Sequence, residues 1–321
     1  MHPLFIFSLP RAGSTLVQRV LAAHPDVASA AEPWILLPQL YALRHPGATA
    51  EYEHTWAVDA LHDFCKLLPE GQAMYRREMS AFVRRMYEEA GGRGKRYFLD
   101  KTPRYHLIVD QIIDLFPDGR FIFLWRNPLA VAASMMQTWA KGRWNLFEYE
   151  IDLYQGVHNL IAASERYSDR VLTVRYEDLV TGGEQHWRRI FEYLGLDFTP
   201  ALLAQFSSVA IGERMGDPTG NKAYAGLSTE PLEKWRRAFR NPLRRRWASR
   251  YLRRLGPQRL AAMGYDMQQL QRELASAPHG LEHLASDVVI RTSFLAYRFL
   301  LAPFPGSLLM KALTGRKRHP W

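Results

Sequence analysis

The sequence predicts an α/β fold of three layers, a central parallel sheet flanked by helices, and three observations carry that prediction. Short apolar runs rich in aromatic and branched residues occur at positions 4–9, 97–99, 121–125 and 171–174. Segments with helical spacing separate them, and this alternation builds parallel sheets with helices on both faces. The chain has 321 residues, of which 47% are hydrophobic and 23% charged, so it can bury a large core without metal or disulfide staples.

Residues 4–9 read as a strand that Pro10 ends. Gly13 lets the backbone turn closely, Ser14 or Thr15 can cap a helix through Leu16, Val20 and Leu21, and His24-Pro25 closes it. Positions 34–94 are mostly helical in pattern, with turn signals at 45–47 and 69–71, and end in the linker GGRG. The strand at 97–99 and a helix at 107–116 follow. The strand at 121–125 lies between Arg120 and Arg126 and runs into a helix at 129–139; a long helix at 148–167 then precedes the strand at 171–174. The stretch 212–228, with four Gly and one Pro, reads as a long surface loop. At 243–260, Trp247, Tyr251, Leu252 and Leu255 form an apolar stripe, while Arg246, Arg250, Arg253 and Arg254 take other faces of the same helix. The expected organisation is a domain at 1–270 with a helical insertion at about 34–94, and an apolar and basic extension at 271–321.

Forty-two Lys and Arg stand against 32 Asp and Glu, a formal charge of +10 that favours an anionic ligand or surface. Eleven of the basic residues fall within 234–259, where no acidic residue occurs. Cys65 is the only cysteine, which excludes a disulfide framework and a thiolate-rich metal site. The amino terminus lacks the basic flank and length of a secretory signal, and no run of eighteen apolar residues is present. The expected location is the cytoplasm.

SLPRAGST sits where a phosphate-binding loop would, between the first strand and its helix. Against the pattern GxxxxGK[ST], Ser8 replaces the first glycine and Ser14 the lysine, while Gly13 and Thr15 match. The fold is thus P-loop-like without being a Walker A site. Arg11 is the loop's only cation, and its fork, with consecutive backbone N–H groups, can grip a phosphate or sulfate. A capped turn with a solvent-facing arginine is the plainer alternative. A kinase of this topology should show the loop lysine and a strand-end carboxylate for Mg²⁺, yet the later strands end in Arg126 and in Arg175-Tyr176. Nucleic-acid binding through the basic helix has no zinc, RNA-recognition or helix-turn-helix signature behind it.

The combination resembles the sulfotransferases that use 3'-phosphoadenosine-5'-phosphosulfate (PAPS), and is most similar to their tyrosylprotein and carbohydrate branch. PRAGST, residues Pro10, Arg11, Ala12, Gly13, Ser14 and Thr15, is similar to the loop that binds the 5'-phosphosulfate. FIFLWRNPLAVAASMM supplies Arg126 and Ser134, the strand-end arginine and helix serine that hold the 3'-phosphate in that family. HPDVASAAEPW supplies Glu32 where the tyrosylprotein enzymes have a base, and Asp100-Lys101-Thr102-Pro103 resembles the segment whose lysine contacts the transferring group. VRYEDL supplies Tyr176, and GNKAYAGLSTEPLEKW supplies Lys222, Gly226 and Lys234-Trp235. The resemblance spans residues 4 to about 236. It departs at Thr138, where those enzymes have an arginine; either Lys141 or Arg143 compensates, or the phosphate has fewer charged partners.

The resemblance implies sulfuryl transfer from PAPS to a hydroxyl acceptor, leaving adenosine 3',5'-bisphosphate, with Glu32, Lys101 and Arg11 catalytic and no metal required. Each residue has a plainer reading. Glu32 could cap a helix or pair with Arg11, Lys101 could pair with Asp100, and Tyr176 could merely finish a strand. His24 and His106 are alternative proton acceptors. The acceptor is expected to be a carbohydrate or glycolipid, because the 34–94 segment is mixed in charge; a protein tyrosine, a phenol or another small alcohol is the alternative. Residues 294–318, apolar and then basic, would meet an anionic membrane surface at the cytosolic face, cap the core or join a dimer partner.

Overall fold

The computed structural model describes residues 1–45, 47–209 and 228–300, with the backbone alone for 295–300. Five parallel strands, β1 His2–Phe7, β2 Val27–Ser29, β3 Tyr97–Asp100, β4 Arg120–Trp125 and β5 Val171–Arg175, form one sheet in the order β2-β3-β1-β4-β5. The first strand is central: Leu4 is in register with Leu99 on one side and Phe7 with Phe123 on the other. The sequence pattern missed β2, because its three residues are too few to show a period.

Around the sheet lie α1 Ser14–Ala22, α2 Leu36–Tyr41, α3 His54–Cys65, α4 Gln72–Tyr87, α5 Val109–Leu115, α6 Pro128–Ala140, α7 Val157–Arg166, α8 Tyr176–Thr181, α9 Glu184–Leu194 and α10 Ala201–Gln205. After the undescribed stretch come α11 Lys234–Ala238, α12 Pro242–Ala262, α13 Met267–Ser276 and α14 Leu284–Leu300. Alternate strand residues feed two cores, as the two-residue period of a strand requires. Phe5, Phe7, Phe121, Phe123 and Trp125 pack with α4, α5, α6 and α7. Leu4, Ile6, Ile122 and Leu124 pack with α1, α8 and α9.

Two expected helices are broken. The 148–167 segment is a 3₁₀ turn at Leu146–Tyr149, a wide turn at Ile151–Gly156 and then α7. The wide turn brings Gly156 against the His106 ring, where a Cβ would lie 2.9 Å from Nδ1. The 107–116 segment is a 3₁₀ turn at Pro103–Leu107 followed by α5. In α12 the expected stripe is buried or half-buried and Arg246, Arg250, Arg253 and Arg254 are exposed, with a break at Gly256 before Pro257.

Arg244 lies inside, forming a two-pronged pair with Asp287 of α14, to which Asn241 also donates at 2.8 Å. This ties the start of α14 to α12, and Phe294 stacks on Phe147 at 4.3 Å between ring centroids. The rest of the expected membrane-facing segment, from 301 onward, lies outside the described residues. Among the described residues no helix is long and apolar enough to cross a membrane.

Candidate active site

In a parallel sheet all strands point one way, so their carboxyl ends share one rim, where α/β folds place their ligand crevices. Each strand here delivers one expected residue to that rim: Arg11 follows β1, Glu32 follows β2, Lys101 follows β3, Arg126 follows β4 and Tyr176 follows β5.

The β1 loop is shaped from below. Gly13 has φ of 95°, and a Cβ there would lie 2.3 Å from the Tyr176 ring, so only glycine lets the loop rest on the tyrosine. Arg11 also adopts a left-handed φ of 68°, which turns the chain sharply ahead of α1. Ser14 and Thr15, both buried, open that helix, whose first-turn N–H groups face the rim. Pro10 and Ala12 complete the turn, with the Ala12 N–H bonded to the Leu9 carbonyl at 3.2 Å.

Two motifs more than a hundred residues apart meet here. Arg11 Nε donates to Ser134 Oγ at 3.3 Å, and Arg126 Nη1 donates to the Arg11 carbonyl at 2.9 Å. The Arg126 guanidinium lies 4.5 Å from the centroid of the Tyr176 ring, and its second Nη donates to the Pro231 carbonyl at 3.3 Å. Its Nε is buried with no hydrogen-bond partner among the described residues. A guanidinium with an unused N–H beside a glycine loop and a helix start fits an anionic ligand such as a phosphate.

The sequence offers Glu177 only as the second residue of the Tyr-Glu pair in VRYEDL, with no role of its own. One of its oxygens accepts the Asn127 N–H at 2.9 Å and the other the Tyr265 hydroxyl at 2.6 Å, so it fixes the corner just after Arg126. Burial first, then the Glu177 charge, holds the Tyr265 phenol well above its ordinary pKa and keeps it a donor. Asn127 in turn caps α6 through the Leu129 and Ala130 N–H groups, which orients the helix bearing Ser134.

On the other side of β1, Lys101 Nζ donates to Glu32 Oε1 at 2.7 Å, with the lysine side chain only 3% exposed. The partner of Glu32 is therefore Lys101 instead of Arg11, and the partner of Lys101 is Glu32 instead of Asp100. The Glu32 loop is pinned at its near end by Gln18, whose Nε2 donates to the Ser29 hydroxyl and the Ala30 carbonyl, both at 2.8 Å.

The histidines lie elsewhere. His24 ends α1 at the pole opposite the rim, where its Nδ1 accepts the Asp26 N–H, and burial lowers its pKa. His106 is buried against Asp152 at 2.7 Å, and Arg104 reaches the same carboxylate at 2.9 Å. Thr138 is one turn beyond Ser134 on α6, while Lys141 and Arg143 are exposed after that helix ends. Lys222 and Gly226 lie outside the described residues.

The profile of the sulfotransferase family matches residues 3–200. The chain belongs to the sulfotransferase family. Among its relatives, nodulation protein NoeE of Sinorhizobium fredii is 34% identical over 137 residues, 42% of this chain and 31% of that one. A putative protein-tyrosine sulfotransferase of Caenorhabditis briggsae is 23% identical over 238 residues, 72% of this chain and 80% of the relative. The chain thus spans about a third of NoeE and most of the nematode protein. Among solved structures, the sulfotransferase domain from the curacin biosynthetic pathway is 24% identical, with a TM-score of 0.49 over 73% of this chain and 90% of that one.

Proposed function

We propose that this sulfotransferase-family chain moves the sulfuryl group of PAPS to a hydroxyl acceptor, with the donor along β1 and β4 and the reacting groups at β1, β2 and β3. The observation that carries the reading is the meeting on one rim of the Arg11, Ser134 and Arg126 cluster and, on the other side of β1, the Glu32–Lys101 pair. PAPS supplies an activated sulfuryl group, whose S–O bond to phosphate breaks as the bond to the acceptor oxygen forms.

The chain's own groups have distinct tasks. Arg11 and the N–H groups of residues 13–15 bind the 5'-phosphosulfate oxygens, with Ala12 holding the turn, and Arg126 and Ser134 bind the 3'-phosphate. Tyr176 acts from below, as the floor of the loop. Glu32 accepts the acceptor's hydroxyl proton, while Lys101 places a buried ammonium where negative charge grows. The ion pair keeps both groups on the same few ångströms of the rim before substrate arrives.

For the acceptor, a phenolic hydroxyl is the stronger reading. The Caenorhabditis relative and others from Drosophila, zebrafish and chicken are named protein-tyrosine sulfotransferases. This favours the alternative over the expected carbohydrate or glycolipid, which rested on the charge balance of the 34–94 segment alone. The test is transfer from ³⁵S-labelled PAPS to a tyrosine peptide, a simple phenol and an oligosaccharide, alongside calorimetry of adenosine 3',5'-bisphosphate against ATP. Label on the peptide or phenol and preference for the bisphosphate support the reading. Label on the sugar alone overturns the acceptor class, and equal affinity for ATP overturns the donor.

A further inference from the structure

The residue next to Lys101 has no task in that account, yet it is the hub of the polar interior behind the site. Asp100 is completely buried, and its carboxylate accepts three hydroxyls: Tyr87 at 2.6 Å, Tyr105 at 2.9 Å and Thr102 at 2.9 Å. Two of them continue toward the Glu32 loop. Thr102 Oγ1 accepts the Trp34 N–H at 3.3 Å, and the Tyr105 hydroxyl accepts the Leu36 N–H at 3.3 Å. The Trp34 indole N–H then donates to Glu32 Oε2 at 3.4 Å.

The direction of these bonds is fixed by what each group carries. A hydroxyl has one proton and two lone pairs, and an ionised carboxylate can only accept. Because Asp100 takes the proton of Thr102 and of Tyr105, the lone pairs of both oxygens are left for the loop N–H groups. A neutral amide in its place would offer donors to the same hydroxyls and set them against the loop. Trp34 needs such a hold: its φ of 56° is a left-handed conformation that a bulky residue keeps only when its surroundings enforce it.

We infer that Asp100 is a positioning residue for Glu32, acting through Thr102 and Trp34 on one path and through Tyr105 and Leu36 on the other. The inference rests on the reading of Glu32 as proton acceptor. Lys101 holds one oxygen of that carboxylate and Trp34 approaches the other, so the loop's register sets where a proton can be received. Tyr87 is the internal control, since its hydroxyl is bonded to Asp100 and has no bond to the loop.

The test is residue-resolved amide hydrogen exchange on the full chain, with affinity for adenosine 3',5'-bisphosphate measured in parallel. Thr102→Val should speed exchange at Trp34 by roughly tenfold or more, and Tyr105→Phe should do the same at Leu36. Asp100→Asn should loosen both sites. Thr102→Ser should restore protection, Tyr87→Phe should leave both amides protected, and bisphosphate affinity should stay at the wild-type value throughout. Unchanged exchange in both Thr102→Val and Tyr105→Phe overturns the inference, as does equal loosening by Tyr87→Phe, which would mean general loss of packing. If Asp100→Asn does not fold, the Thr102 and Tyr105 variants still decide. Undiminished transfer by Glu32→Gln would instead remove the base reading and leave the exchange pattern standing, so the two failures are distinct.

Discussion

The two sides of β1 are built on different principles. On the β4 and β5 side the loop is set by shape: glycine against a tyrosine ring, an arginine over the same ring, and guanidinium bonds to backbone carbonyls. On the β3 and β2 side position is set by charge and hydroxyls: a nearly buried ion pair, and behind it a buried carboxylate with three donors. Under the proposed function, shape would suffice to hold a phosphate that takes no part in bond making, whereas a group that must receive a proton would need its electrostatic surroundings held as well.

Glu32→Gln gives the sharpest separation. It should slow transfer by roughly two to four orders of magnitude, the range for a lost general base, with bisphosphate affinity unchanged. Equal losses of affinity and rate would merge the two sides. Arg126→Ala is its counterpart and should weaken bisphosphate binding by roughly 10²-fold, as removal of one partner of a charged contact does, with the larger effect on affinity. Calorimetry and single-turnover rates measured together distinguish the pair.

The pH dependence of stability addresses the hydroxyl-bonded side. Burial, only partly opposed by its hydroxyl donors and Lys101, raises Asp100 from 3.8 to about 6. The native state therefore binds more protons than the unfolded chain between those values, and this group's contribution to stability falls as pH rises through that window, by on the order of 3 kcal/mol for two units. Denaturant melts should show this component in the wild type and none in Asp100→Asn; identical pH profiles would mean Asp100 titrates normally. The smallest effect is expected from Gly13→Ala, which forces a methyl toward the Tyr176 ring. It should cost about 1–3 kcal/mol in overall stability and weaken bisphosphate binding. Wild-type affinity in that variant would show that the loop does not need its floor.

The β4 and β5 side was the more legible in sequence, because a glycine loop and a strand-end arginine are local signals. PRAGST and Arg126 with Ser134 could be read as they stand, and Arg11 does reach Ser134 in space. The partners of Glu32 could not be read, since choosing Lys101 over Arg11 depends on β3 lying between β2 and β1, and the three-residue β2 left no pattern. The roles of Gln18, Glu177 and Tyr105 are illegible in the sequence for a related reason. Each acts on backbone or carboxylate groups remote in sequence, and a polar residue on a helix or turn announces no such target. Nothing in the sequence sets Arg244 apart from its neighbouring arginines, because its partner Asp287 comes from α14, more than forty residues on.

The adjacency of Asp100 and Lys101 at the end of β3 bears on how this chain can change length. Successive residues of an extended segment point to opposite sides, so one side chain feeds the buried hydroxyl cluster and the next feeds the rim. Loss or gain of a single residue in β3 would exchange them, burying the ammonium among hydroxyl donors and presenting the acid to Glu32. Substitution is therefore the tolerable kind of variation there, in steps that keep odd and even places distinct. Between β2 and β3, among the described residues, only the ends of the helical segment are tied to this cluster, through Leu36 at the start of α2 and Tyr87 at the end of α4, so changes of length in between, around α3, would leave the order of Asp100 and Lys101 intact.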